Sequence, residues 1–342
     1  MILALAIAAV GGWLAELAGL PLPWMLGAIG ATTIAALAKA PVATPTPIMP
    51  PMRVVLGVLM GSSVTPDMLQ HASTLGLSLA LVPLYVLVAS ALGWVYLAAL
   101  CRMEKTEAYF AALPGGLYTM VTFAEELGIN VKRIALNHTL RVMLIVIVLP
   151  LIVQALLGED VIRGALASSS LATISLIDLA ILTASGLVGW AVSERLKIPG
   201  GIMIVPMFFT AVLELTGVTS AKPPIELVIA AQVVLGAGIG GRFIGFSLTE
   251  IGSAVVHAGG YVLIMLGLTS LTAWGLAGIA GVNMWSSVLA FAPGGLAEMS
   301  LIALALGLNV GLIATVHTVR ILLVVTAAPL IFKWIQPRLE SA

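Results

Sequence analysis

His138 and Arg141, and again His317 and Arg320, stand three residues apart inside apolar stretches. On a helix that spacing puts both members of each pair on one face. An arginine facing lipid at the centre of a membrane helix costs at least about 2.5–3.5 kcal/mol, so both guanidiniums are expected to face inward. There they could bind a carboxylate, phosphate or sulfonate. Equally, they could tie down carbonyls of a neighbouring segment and hold the fold. Ahead of each pair lies a helix-breaking triplet, Pro114, Gly115 and Gly116 in one place and Pro293, Gly294 and Gly295 in the other. Proline removes a donor, and glycine adopts φ values closed to other residues. The backbone groups freed by such a break must be buried in protein or line a watery cavity. Matched breaks in two halves point to a transporter's binding site; the plainer reading is a packing kink. Asn137 belongs with the first pair. Glu298, three residues after Gly295, could carry a proton or Na⁺, or pair with Arg320.

These residues recur because the chain is duplicated. Residues 111–152 and 290–331 are identical at 21 of 42 positions without a gap. Gly12, Trp13, Glu16 and Pro21 correspond to Gly189, Trp190, Glu194 and Pro199, and Gly57 and Gly61 to Gly236 and Gly240. A self-similarity of this kind has to be read before the fold. It gives a first repeat over 1–157, a linker over 158–170 and a second repeat over 171–342.

Of the 342 residues, 61% are hydrophobic and 9% charged, and the mean hydropathy is +1.16. Soluble domains carry about a quarter charged residues. Residues 72–101 and 251–284 contain no Asp, Glu, Lys or Arg, and each run exceeds the roughly 20 residues a helix needs to cross a bilayer. The fold class expected is all-α and polytopic in the membrane. Met1 to Val10 could pass for the apolar core of a signal peptide. No basic residue precedes it, and its repeat counterpart lies mid-chain, so it reads as a first span.

Each half divides into six apolar segments, in the first about 2–18, 23–38, 51–64, 72–100, 107–125 and 134–156. In the second they lie at about 171–192, 199–217, 225–241, 253–280, 285–305 and 310–334. Loop cations mark the cytoplasmic side. Lys39, Arg53, Arg102 and Lys105 follow segments two and four of the first half, whereas Arg195, Lys197 and Arg242 follow one and three of the second. That opposition is the signature of an inverted repeat, which requires an odd number of crossings per half. The fifth segment, holding Pro-Gly-Gly, is the natural non-crosser. The expectation is five plus five transmembrane helices with a broken or re-entrant segment in each half and both termini cytoplasmic. It places 11 of the 15 Lys and Arg on the cytoplasmic face.

Other signals argue for less. Scattered cations give no basic face for nucleic acid. The single cysteine excludes an internal disulfide and a Cys-based zinc site, and no histidines have the His-x₃-His spacing of a metal site. No catalytic group, metal or cofactor is expected beyond coupling H⁺ or Na⁺. The run Gly236 to Gly241 matches a dinucleotide fingerprint formally, but it lies in a membrane segment with no strand before it. Close helix packing explains its glycines better. Glu125 and Glu126 read as interfacial, near Lys132 and Arg133.

At the duplicated Pro-Gly-Gly, His-Thr-x-Arg and Pro-Leu-Ile unit, the chain resembles the bacterial AbrB-like membrane family, also called AbrB duplication. Its members often carry the provisional label ammonia monooxygenase. The resemblance implies a bacterial inner-membrane protein of ill-defined activity. The sequence contains neither the DNA-binding module of a soluble AbrB regulator nor a copper site. The reading favoured by the residues is a secondary transporter for a small anionic solute, working by alternating access and not as an enzyme. Its partners would be the bilayer, the solute and, in one form, further copies of itself. A membrane-embedded regulator affecting gene expression and, with less support, a membrane enzyme are the alternatives.

Overall fold

Proline and glycine punctuate a chain that is otherwise apolar enough to be helical throughout. The computed structural model describes residues 1–64, 72–115, 117–158, 170–198 and 200–340, and these contain helices and no strand. The first half gives α1 (Ile2–Leu17), α2 (Pro23–Leu37), α3 (Met49–Gly61), α4 (Ala72–Val95), α5 (Lys105–Ala112), α6 (Leu117–Glu126) and α7 (Val131–Leu157). The second gives α8 (Leu176–Leu196), α9 (Gly201–Leu215), α10 (Ile225–Gly240), α11 (Leu248–Ala280), α12 (Met284–Phe291), α13 (Leu296–Ala305) and α14 (Val310–Glu340). The duplication carries into the helices. The two first parts of the broken segments, α5 and α12, are 8 residues each, the two second parts, α6 and α13, are 10, and α2 and α9 are 15.

Six helical stretches are long and apolar enough to cross a membrane: Leu75–Leu100, Val131–Leu157, Leu176–Leu196, Ile225–Phe243, Leu248–Ala280 and Val310–Gln336. Helices α1, α2, α3, α9 and α13 are apolar but shorter, so the ten full-length spans read from the sequence are not all of spanning length. Arg53, counted above as a loop cation, lies within α3. Most of the expected linker, 159–169, lies outside the described residues, as does Gly116.

The chain forms two compact units, and each draws on both halves. The first comprises Met1–His71, Val146–Leu248 and Ala297–Ala314; the second comprises Ala72–Ile145, Thr249–Leu296 and Thr315–Ala342.

Glycines set the helix approaches in the first unit. A Cβ on Gly57 would collide with Met203 O, and one on Gly61 with Met207 O, so α3 lies directly against α9. Reciprocally, a Cβ on Gly236 would meet Met25 O at 2.8 Å and one on Gly240 would meet Ile29 O at 2.8 Å, which brings α10 against α2. In both pairs the contacts advance together along the two chains, so the helices run parallel. The glycines of the formal nucleotide fingerprint therefore serve packing. Met49, at the start of α3, touches Gly238 near the end of α10.

In the second unit, Tyr85 Oη and Thr269 Oγ1 are 2.9 Å apart. Farther along α4, Gly93 lies against the Tyr261 ring, and Tyr96, just beyond the helix, reaches Gly260. The numbers rise along α4 as they fall along α11. These equivalent helices of the two repeats run antiparallel. Tyr109, Phe110, Phe123 and Phe332 form an aromatic cluster with ring centroids 4.8–6.5 Å apart, and Tyr109 Oη donates to Ala328 O at 2.8 Å. The cluster fastens the last part of α14 to α5 and α6.

Candidate functional site

A residue before proline is pushed out of the helical region. Both breaks show it: Leu113 has ψ 129° and Ala292 ψ 135°, ending α5 and α12 at the same repeat position. Gly115 then takes φ +146°, a conformation that side chains oppose. An α-helix leaves its final carbonyls without internal partners, and in apolar surroundings they need donors.

Helix α7 supplies them at the first break. His138 Nε2 is 2.8 Å from Phe110 O, Asn137 Nδ2 donates to Ala111 O at 3.1 Å, and Arg141 Nη1 donates to Leu113 O at 2.8 Å. The remaining carbonyl of the run, Ala112 O, accepts from Tyr261 Oη of α11. Four side chains thus satisfy four consecutive carbonyls.

At the second break, α14 does the same with fewer residues. His317 Nε2 is 2.9 Å from Leu289 O. Arg320 Nη1 donates to Phe291 O at 3.2 Å and Ala292 O at 2.7 Å, and its Nη2 donates to Gly294 O at 3.2 Å. The repeat positions of Asn137 and Tyr261 are Val316 and Val82, which have nothing to donate. Arg320 takes Phe291 O, the counterpart of the carbonyl that Tyr261 caps, and adds Gly294 O.

In each copy the arginine Nη2 also donates to the histidine Nδ1, at 3.0 Å in both. With Nδ1 accepting, Nε2 carries the proton and donates to the carbonyl. Both ring nitrogens are committed, which fixes the neutral Nε2–H tautomer. Neither histidine can take up a proton without losing its arginine.

His138 and His317 are fully buried, and Arg141 and Arg320 are each 2% exposed. A guanidinium has five N–H donors. Arg320 commits four of them, leaving a buried Nε with no partner. Arg141 commits two to Leu113 O and His138 Nδ1, and its Nε is likewise unpartnered. The Tyr261 hydroxyl is a further hydrogen-bonding neighbour of Arg141, whose guanidinium carbon is 5.9 Å from that ring's centroid. Among the described residues, the ion pairs are Lys132–Glu250 at 2.5 Å and Arg133–Glu107 at 3.1 Å. Among the described residues no carboxylate pairs with either buried arginine.

Of the residues singled out in the sequence, Pro114, Gly115, Asn137, His138, Arg141, Pro293, Gly294, Gly295, His317 and Arg320 all belong to the second unit. Glu298 belongs to the first. It lies in the first turn of α13, half-buried, with Arg242 and Arg53 as the cations that act on it. Arg320, weighed as its partner, belongs to the second unit. Glu125 and Glu126 are exposed as expected, but Arg133 turns to the buried Glu107 and Lys132 to Glu250. The first unit also holds a cavity of about 230 Å³, lined by Val54, Val58, Leu182, Trp190 and other uncharged residues. It offers an anion no countercharge.

Sequence reasoning passed over Tyr261 and Tyr85. Tyr85 packs edge-on against Phe291 with centroids 5.1 Å apart, bracing the end of α12. The available signal was their depth within long uncharged runs, since membrane tyrosines favour the interfaces. Neither repeats, so the duplication drew no attention to them.

Comparison with known proteins gives consistent relatives. Residues 24–336 match the family model described as "Transition state regulatory protein AbrB". The chain is 25% identical over 363 residues to the uncharacterized protein YhjN of Bacillus subtilis (strain 168), covering 96% of this chain and 91% of that one. It is 25% identical over 322 residues to a protein of Escherichia coli (strain K12) named as a proposed regulator, AbrB, covering 92% of this chain and 90% of the relative.

Proposed function

This chain belongs to the AbrB family, and from that premise we propose that it is a secondary transporter moving a small anionic solute across the bacterial inner membrane by alternating access. One observation carries the reading. Two guanidiniums lie buried beside matched helix breaks with no carboxylate partner among the described residues. Buried charge without a countercharge is expensive, and in membrane segments it marks substrate or ion pathways.

Arg141 is the proposed anion ligand because it keeps more of its fork uncommitted than Arg320. The N-terminus of α6, which follows the first break, adds a positive dipole end. Pro114, Gly115 and Asn137 shape that break; Pro293, Gly294, Gly295, His317 and Arg320 hold its counterpart. Glu298, in the other unit, is the proposed proton carrier. The locked histidines are unsuited to that task.

The inverted repeat is part of the same proposal. Support comes from α4 and α11, which are repeat equivalents yet run antiparallel, and from the contact of Met49 with Gly238. A parallel duplication would bring Met49 toward Val228, its own counterpart. Loop charges support cytoplasmic termini. The re-entrant course of α5–α6 and α12–α13 rests on the odd crossing number that inversion requires.

Uptake by proteoliposomes across a panel of labelled carboxylates, phosphates and sulfonates, with and without H⁺ and Na⁺ gradients, tests the proposal. The expected outcome is saturable uptake of at least one anion that Arg141→Ala abolishes. Uptake unaffected by that substitution removes the assigned site, and no uptake of any solute removes the transporter. A second reading, a membrane-embedded regulator, draws on the names of the family and of the Escherichia coli relative. Altered gene expression in a deletion strain, restored in full by Arg141→Ala and Arg320→Ala chains, would favour it.

A further inference from the structure

The final carbonyls of a helix carry the negative end of its dipole, and in transporters with broken helices such carbonyls coordinate the coupling cation. Here that place is taken, in both repeats. At the second break a single guanidinium collects Phe291 O, Ala292 O and Gly294 O within 2.7–3.2 Å. At the first, Arg141 takes Leu113 O, while His138 and Asn137 hold the two carbonyls of Phe110 and Ala111. An alkali cation would need to strip these oxygens from buried donors that then had nowhere to turn.

The geometry points to Arg141 and Arg320 acting as built-in monovalent cations, each filling the position at its helix break where a free coupling cation would otherwise sit. Two consequences follow. The chain needs no Na⁺ at either break, and deleting an arginine side chain leaves a site for a small monovalent cation. Guanidinium is the best match in shape and donor pattern, with Na⁺ next. The consequence for coupling rests on the transporter reading above; the site itself does not. A simple structural cap would share the hydrogen bonds but has no need of the charge, and that separates the two roles.

Thermal unfolding of the purified full chain in detergent is the test. Wild-type protein is measured in Na⁺, K⁺ and tetramethylammonium chloride at equal ionic strength, and its midpoint is expected to be the same in all three. Arg320→Ala is expected to melt lower and to recover with millimolar guanidinium, by roughly 2 °C for each tenfold rise above the dissociation constant. Tetramethylammonium, too large and without N–H donors, should leave it unchanged. Arg320→Gln, neutral but able to donate, should melt lower than Arg320→Lys, which keeps the charge.

A Na⁺-specific rise in the wild-type midpoint overturns the proposal. So does an Arg320→Ala protein indifferent to guanidinium and Na⁺ alike, or a glutamine variant as stable as the lysine one. If Arg320→Ala cannot be purified, Arg141→Ala, which strands fewer carbonyls, carries the same rescue experiment under the same criteria. Rescue of the variant without uptake of any anion by wild-type protein would sink the transporter reading and leave the cation site standing. Uptake through Arg141 without rescue would do the reverse.

Discussion

The two helix breaks are built on one plan and finished differently. In the first, four side chains from two helices cap four consecutive carbonyls, and Arg141 takes a single one of them. In the second, Val316 and Val82 stand where Asn137 and Tyr261 would be, and Arg320 takes on three carbonyls alone. After duplication, the demand on each break stayed the same, because a helix end in apolar surroundings must have its acceptors paired. The supply was free to vary. One copy can therefore specialise its arginine for structure while the other keeps donors for a ligand.

The comparison predicts unequal arginines. Arg320→Ala strands three buried carbonyls at about 1–3 kcal/mol each, so it should give the largest loss of thermal stability, roughly 3 kcal/mol or more. An equal or smaller loss than for Arg141→Ala would break the asymmetry. Arg141→Ala should cost about 2 kcal/mol while abolishing anion uptake, so its functional loss should exceed its structural one. Tyr261→Phe and Asn137→Val each remove one cap from the first break and make it resemble the second; about 1 kcal/mol apiece is expected. If they cost nothing, Arg141 can shift to cover their carbonyls, as Arg320 does for Phe291 O, and its spare donors are not reserved for a ligand.

The relation between the halves can be sharpened without perturbing either break. Cys101, the chain's single cysteine, is buried, and that burial pushes its thiol pKa up, so the thiolate that reacts is scarce. Single cysteines placed at the exposed positions 39 and 195 should then label cleanly with a membrane-impermeant maleimide, both from the cytoplasmic face. Labelling from opposite faces would defeat the inverted reading.

Much of the helical framework was legible. Apolar runs and the duplication place nearly every helix to within a few residues, because hydrophobic length and helix breakers act locally. The glycine pairs of α3 and α10 announced close packing through spacing alone. Less was legible where lengths fell short. The sequence reading counts α1, α2 and α9 as full spans, and their 15 to 16 residues show that apolar character does not set helix length. Arg53 was misplaced to a loop for a similar reason, since a charge inside a helix start looks like a charge before it.

Sequence alone determined that the chain is duplicated, apolar enough to live in a membrane, broken twice at Pro-Gly-Gly, and furnished with a His–Arg pair on one helix face after each break. Those properties depend on composition and on near-neighbour periodicity. Tertiary structure decided what each guanidinium does. Its acceptors lie 26 to 29 residues away along the chain, and the tyrosine that relieves Arg141 comes from a helix 149 residues from the carbonyl it caps. No spacing rule reaches that far, so the division of labour between two near-identical arginines emerges only when the helices are packed.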